Sequence, residues 1–467
     1  MLTEEQTDFL FRNVPIDELE KLLEKDGLSE AEIYHAVKSN IESFTGANFN
    51  VEKIADFLIA TRHVCKINGA LHTYRNGIYV EGEQTIHSEI IELDARAKSN
   101  ARKEVITFLK DYKKTPVREL SPPELIPFKS RIYNLCTNEH IPYSPEYVFL
   151  NQFPCDFVDD TDEQAAAKVD SFLSSLTRGD EQIIRLIYET IGNCFFRENR
   201  YRGAVIFYGE SGNNGKSSLL NLIRQTIGAE NCSSLSLQDT AERFRVLGLY
   251  GKAANIGDDI PATALSDTSQ FKKLVTGEPL TGEHKGADPV AFTSYAKLFF
   301  AANELPRSMD KSEALTSRLL IIPLNVDFSK RPDFDASLKS RKWSQTELEY
   351  VTRKAVQALH YLHDTGKFTQ PDCMRETLAE YALENDSVKA FYQTLIINDY
   401  IGKPIADVYG LYREYASQSG LQPLNIHNFG RNFKKIANVE KYGDNVMVNG
   451  KRKTVAIYVT NRKSVTE

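Results

Sequence analysis

Lys216 and Ser217 head a helical pattern, directly after a Gly/Asn-rich turn that breaks the apolar run VIFY at residues 205–208. A buried strand, a glycine loop and a helix start in that order form a cradle for a polyphosphate. Loop N–H groups and the positive end of the helix dipole face the anion. Lys216 is placed to reach β- and γ-phosphates, and Ser217 to set its hydroxyl on Mg²⁺. Gly209, Gly212, Asn214 and Gly215 shape the loop, and Ser218 continues the first helical turn beside it. The usual motif has four residues between its first glycine and the Gly-Lys pair, whereas residues 210–214 make five here. Either the loop carries one extra residue, or Gly212 takes over part of the turn. The bland alternative is a Gly/Asn-rich surface turn, and the strand before the loop weighs against it.

Four further constellations follow. The segment AANIGDD is a small apolar strand whose tip carries Asp258 and Asp259. Two carboxylates beside a phosphate loop can hold Mg²⁺, with Asp258 the metal partner alongside Ser217, and can orient an attacking water. The strand in AKLFFAANELP ends in Asn303, an amide able to sense a γ-phosphate or hold the water. Arg318 opens the strand RLLIIPL and could act on the nucleotide of a neighbouring subunit, a role for which Arg307 competes. Between the acids and the amide, FKKLVTGEPLTGEHKGADPVAF reads as a hairpin with Lys285 and His284 at its tip. Such a tip suits contact with DNA phosphates regardless of base sequence. Each feature also has an ordinary reading as a strand-end cap or a solvated turn.

These groups need a scaffold, and the pattern supplies one. From residue 204 to about 326 short apolar strands alternate with helical stretches, the mark of a parallel α/β sheet. Upstream, residues 1–48 read as short acidic helices and KIADFLIATRHVCKI as helical. LHTYRNGIYV reads as a hairpin turning at Asn76-Gly77, and EIIELDARAKSNARKEVITFLKDY as one long helix. Residues 115–154 are rich in Pro and aromatics and read as irregular and β-rich, leading into an acidic linker at residues 159–162. A helix at residues 181–196 precedes the loop, and residues 336–390 read as helical.

Charge is uneven. Residues 401–467 hold eleven Lys/Arg and five Asp/Glu, a net of +6 in a chain whose overall charge is −7. A basic tail on an acidic body suits a protein that grips phosphate backbone at one end. The tail itself reads helix, helix, then two strands turning at Asn449-Gly450, the order of a winged helix. In its second helix Ile426, Phe429, Phe433 and Ile436 form one apolar stripe. Asn428, Arg431, Asn432 and Lys435 lie off it, and Arg and Asn are the side chains that read guanine and adenine edges. Lys451, Arg452 and Lys453 on the wing would reach phosphates. A protein-docking winged helix is the competing reading.

The six cysteines are widely spaced with no CxxC pair, so zinc-site spacing is absent and reduced thiols are expected. No apolar run approaches the roughly 18 residues of a membrane span, and the N-terminus is too acidic for a secretory signal. A cytoplasmic protein, in a bacterial host, with no membrane partner is the expectation.

The stretches YGESGNNGKSSLLNLI, ERFRVLGLYGKAANIGDDIP, FKKLVTGEPLTGEHKG, KLFFAANELP and SRLLIIPL, in that order, resemble superfamily 3 helicases. The nearest likeness is to the C-terminal ATPase of phage, plasmid and poxvirus primase-helicases. The resemblance implies an α/β fold with an AAA+-type P-loop ATPase core, a helical and mixed N-terminal domain, and the C-terminal winged helix. It divides the chain at residues 1–175, 176–335, 336–390 (a helical connector) and 391–467. It implies ATP and Mg²⁺ as cofactors and a hexameric ring of identical subunits on single-stranded DNA. Lys216 and Ser217 take the Walker A roles and Asp258 and Asp259 those of Walker B. Lys285 is the hairpin tip, Asn303 the sensor and Arg318 the finger. With the tail as reader of origin duplex, a replicative helicase and initiator of a phage, plasmid or phage-like element is expected. No zinc site or catalytic acid cluster marks a primase in residues 1–175, so a separate primase is expected as partner. Two rival functions are an ATPase that remodels or packages DNA without unwinding and a nucleotide-gated DNA-binding regulator.

Overall fold

The computed structural model describes residues 45–210, 212–260, 268–283, 289–305, 316–330, 340–419, 423–448 and 451–460. The acidic helices expected at the N-terminus lie almost wholly outside them. Helix α1 (Val51–Arg62) starts at Asn50, whose side chain accepts from the Lys53 N–H, and stops where His63 turns left-handed. It ends short of the helix expected there, because β1 (Cys65–Ile67), β2 (Ala70–Arg75) and β3 (Ile78–Glu81) form an antiparallel meander. Both turns are Asn-Gly pairs, Asn68-Gly69 and Asn76-Gly77, with φ positive at all four residues. That geometry matches the twist of a two-residue hairpin. The second turn is legible in the sequence; the first is hidden because the apolar residues of β1 continue the helical spacing of α1.

The single long helix expected next is two, α2 (Glu83–Leu93) and α3 (Ser99–Asp111). Asp94 ends the first: its carboxylate accepts from the N–H groups of Gly46 at 2.7 Å and Arg96 at 3.0 Å. Side-chain bonds to nearby backbone compete with helix continuation. Helices α1–α3 share a core around Ile54, Leu58, Ile90 and Val105. The β-rich stretch is a three-stranded antiparallel sheet of β4 (Leu125–Pro127), β5 (Ile132–Asn134) and β6 (Glu139–Ile141). The acidic run after it is more than a linker. Asp162 accepts from the Ala165 N–H at 2.7 Å and caps α4 (Glu163–Thr177), a helix absent from the sequence reading. Asp180 caps α5 (Glu181–Phe195) in the same way.

The centre is the expected α/β unit. In chain order it runs β7 (Ala204–Tyr208), α6 (Lys216–Ile227), β8 (Cys232–Ser233), α7 (Arg243–Val246), β9 (Ala254–Asp259) and α8 (Ser269–Thr276). Then come β10 (Leu280–Gly282), β11 (Val290–Phe292), β12 (Lys297–Ala302) and β13 (Leu319–Pro323), followed by α9 (Gln345–Thr365) and α10 (Asp372–Asn385). Five strands pair in the order β13-β7-β12-β9-β8, and every pairing is parallel. One face, with Val205, Phe207, Phe299, Leu320 and Ile322, packs on α5, α6 and α9. The other, with Ile206, Leu298, Phe300, Leu319 and Ile321, packs on α8, the β10–β11 ribbon and Tyr381 of α10. Cover on both faces is why these strands read as unbroken apolar runs. The chain leaves β7 toward β9 and β8, then returns past it to β13. Ligands of open α/β sheets bind beyond the carboxyl ends of the strands at such a reversal.

Lys297, at the opposite end of β12, is 5% exposed and donates to Glu198 O, Asn199 Oδ1 and Tyr295 O at 2.7–2.9 Å. Burial pulls its pKa down to about 7. The unfolded chain then binds more protons than the fold from about pH 7 up to the ordinary lysine range near 10.4, so this group's contribution to stability rises with pH there. Urea unfolding across that window is expected to lose this rising component in Lys297→Met; an unchanged slope would refute it.

The tail holds α11 (Ser387–Gln393), α12 (Ile405–Gln418), α13 (Ile426–Ala437) and the antiparallel pair β14 (Val439–Val448) and β15 (Lys451–Thr460). Phe391, Tyr412, Phe429, Phe433 and Tyr458 build its core. Short bridges from Ile401 and Pro404 to β15 tie the start of α12 to the hairpin. Asn425 caps α13 by accepting from the Asn428 N–H at 2.9 Å. The expected stripe is narrower than its spacing suggests: Phe429 and Phe433 are fully buried, whereas Ile426, in the first turn, is 40% exposed.

Candidate functional site

The loop at residues 209–215 is pinned at both sides. Leu324 N–H donates to Tyr208 O at 2.7 Å, and Gly209 N–H donates to Ala302 O at 3.1 Å. A Cβ on Gly209 would fall 2.1 Å from Asn214 Nδ2 and 2.7 Å from Leu324 O, so the chain closes only with glycine there. Gly215 has φ +82°, and a Cβ on it would meet Leu176 at 2.1 Å. Gly212 is different. It has open space around it, and the left-handed turn falls on Asn213 and Gly215 instead.

Asn214 is 2% exposed and donates from Nδ2 to Gly209 O at 3.1 Å. Lys216 is 5% exposed, and its Nζ donates to the same carbonyl at 2.9 Å and to Asn303 Oδ1 at 2.7 Å. The lysine that opens α6 and the amide just past β12 therefore meet, although 87 positions separate them. Ser217 is exposed on the first turn of α6 and Ser218 is buried. The first N–H groups of a helix have no partner within it, so the turn is ready to receive an anion.

Asp258 and Asp259 end β9, and Asp259 pairs in register with Ala301, two residues before Asn303. Gly257 precedes them because a Cβ there would lie 2.6 Å from Leu235 O and 2.7 Å from the Phe300 ring. The chain ends at β7, β12 and β9 thus bring loop, amide and acids to one sheet edge in spatial order. Arg318 lies elsewhere. Its carbonyl accepts from the Ala204 N–H at 2.8 Å, at the start of β7 and the far end of the sheet from the loop.

The β10–β11 ribbon expected to carry the hairpin tip is present, but His284 and Lys285 lie outside the described residues, as does Arg307. On α13, Asn428, Arg431 and Lys435 are exposed and Asn432 is half-buried. Lys451, Arg452 and Lys453 open β15, opposite Val448, Met447 and Val446 of β14. No helix among the described residues is long and apolar enough to cross a membrane.

Known proteins match this arrangement in pieces. Residues 207–318, from the strand before the loop to Arg318, match a family of unknown function, DUF5906. Residues 383–464 match the family described as poxvirus D5 protein-like. "Putative helicase 121R" of Invertebrate iridescent virus 3 is 24% identical over 311 residues, 58% of this chain and 33% of that protein. "Putative helicase L207/L206" of Acanthamoeba polyphaga mimivirus is 22% identical over 285 residues, 55% of this chain and 29% of that one. Together these matches support a likeness to the phage and viral primase-helicase family. It spans about a third of the length of these curated relatives. An apo structure of the C-terminal region of NrS-1 has the same overall fold, with a TM-score of 0.52 at 13% identity, covering 87% of this chain and 98% of that one.

Sequence reasoning missed two neighbours of the loop. Leu176 comes from the unanticipated α4 and packs where a Gly215 Cβ would be. Phe328 follows β13, and its N–H donates to Asn213 O at 3.0 Å. The cap at Asp162 with apolar residues at helical spacing behind it was the available signal for the first. Nothing local announces the second.

Proposed function

We propose that the chain is an ATP-dependent DNA helicase of superfamily 3 type, an AAA+-like motor that assembles as a hexameric ring on single-stranded DNA in replication. The observation that carries the reading is the Lys216–Asn303 contact across the ends of β7 and β12. It makes one site of a phosphate loop, a polar sensor and, one strand further, an acidic strand end. In this reading ATP lies in the loop with its γ-phosphate between Lys216 and Asn303. Ser217 and Asp258 hold Mg²⁺, which neutralises charge on the phosphates. Asp259 orients the water that attacks the γ-phosphorus while the bond to the β-phosphate breaks. The glycines at 209 and 215, whose Cβ positions are already filled, support the fit of a phosphate to this loop.

Residues 391–467 are proposed as a winged helix that selects origin duplex, with the divisions near residues 175, 335 and 390 as domain limits. Exposed Asn428, Arg431 and Lys435 on α13 and the basic start of β15 support this. Priming is assigned to a separate polypeptide, and the host cytoplasm is the proposed compartment. Incubation of the full chain with a forked duplex and Mg·ATP, with electron microscopy of the same sample, tests the reading. Strand displacement by rings supports it. DNA-stimulated ATP hydrolysis without displacement would replace it with a remodelling or packaging motor.

The tail makes a separable prediction. Arg431→Ala is expected to lose about 1–3 kcal/mol of preference for one duplex site while unwinding of an artificial fork persists. Changes at residues 451–453 are expected to weaken all duplexes alike and to lower the salt slope by about one per charge removed. Binding titrations on specific and scrambled duplex, at several salt concentrations, distinguish the two.

A further inference from the structure

The phosphate loop has a direction. Lys216 donates toward Asn303 on the β12 side of β7, which marks that side as the γ-phosphate end. The α-phosphate, ribose and base must then leave the loop on the other side, toward β13. There the chain continues from β13 along the loop, and the Phe328 N–H donates to Asn213 O at 3.0 Å. The Phe328 ring is half-buried, with its Cε2 3.4 Å from the Cβ position of Gly215, and it shares that space with Leu176 at the end of α4. Just beyond Leu176, the Arg178 guanidinium donates to Asn325 O, joining the end of α4 to the same segment. Asp327 accepts from the Ser329 N–H at 3.1 Å and fixes the turn that presents the ring.

We propose that Phe328, backed by Leu176 and held by the Arg178–Asn325 tie, is the platform on which the purine base of a nucleoside triphosphate stacks. This rests on the phosphate-loop reading above and adds the half of the ligand that the loop motif does not address. An aromatic face accepts any base, and a purine offers it more area than a pyrimidine. The site is therefore expected to prefer ATP and GTP over CTP and UTP. It should discriminate weakly between the two purines, because a stack reads area rather than base edges.

Calorimetric titration of the full chain with Mg²⁺ and either ATP or inorganic tripolyphosphate tests this. Tripolyphosphate carries the phosphates without the base. Phe328→Ala is expected to weaken ATP about tenfold, equivalent to about 1.4 kcal/mol, and to leave tripolyphosphate binding unchanged. Phe328→Leu keeps apolar bulk against Leu176 but removes the flat face, and is expected to lose ATP affinity with the same selectivity. Phe328→Trp is expected to retain it. Equal losses for both ligands would show that Phe328 only supports the loop, and no loss for ATP would show that the base lies elsewhere. Either result overturns the proposal. Lys216→Met serves as the separate control: if it leaves tripolyphosphate binding intact, the phosphate-loop reading fails, whatever Phe328 does.

Discussion

Lys216→Met is expected to abolish ATP turnover, lowering the steady-state rate to background. Among the described residues, the Lys216 ammonium bridges the loop carbonyl Gly209 O and Asn303 Oδ1, where the proposed β- and γ-phosphates would lie. Methionine is the better test than alanine because Lys216 is buried rather than superficial. Either change removes the donor to Asn303 Oδ1, while Gly209 O keeps Asn214 Nδ2, but alanine would also empty the space of the buried stem. A stem of similar length keeps the packing, and thermal unfolding reports whether the fold survives. Asp259→Asn is expected to separate binding from chemistry: nucleotide still binds and hydrolysis stops, because in the proposed site that carboxylate acts on water. Normal phosphate release by either variant in a coupled assay would remove the assignment.

Arg318→Ala is expected to slow hydrolysis by roughly 10³–10⁵-fold with nucleotide affinity retained. In the proposed ring the effect would cross between subunits. Arg318 stands beside Ala204, and the loop begins after Tyr208, so the length of β7 separates them, roughly 15 Å at the usual rise per residue. That exceeds the reach of one arginine side chain. The proposed ring, in which each Arg318 would meet the next subunit's nucleotide, gives an arginine there a role that it would lack in a site within one chain. Mixed rings of Arg318→Ala and Lys216→Met are expected to regain part of the lost rate, since an intact loop can then face an intact finger. Failure of mixed, ring-forming samples to recover would pass the role to Arg307 or deny it to both.

What was legible in the sequence is local or periodic. The strand–loop–helix at residues 204–227 could be read because a β run, a glycine turn and a helix start each leave a short-range signature, and so could Asn76-Gly77. The parallel class of the sheet was legible too, since strands covered on both faces must be apolar throughout. Local signals also misled where two patterns coincide. The apolar residues of α1 and β1 share a spacing, and Asp94 interrupts a helix by accepting from Arg96 close by and from Gly46, distant in the chain. Only the tertiary structure decided which ends meet. Strand order put Asn303 against Lys216 and Arg318 at the opposite end of β7, and packing brought Leu176 and Phe328 together at Gly215. Those juxtapositions depend on how strands pair across about a hundred residues, and no run of neighbouring residues encodes that. The sequence by itself determined the chemical groups and the elements that carry them. The fold determined which of those groups share a site, because contact between them is made by packing and not by adjacency along the chain.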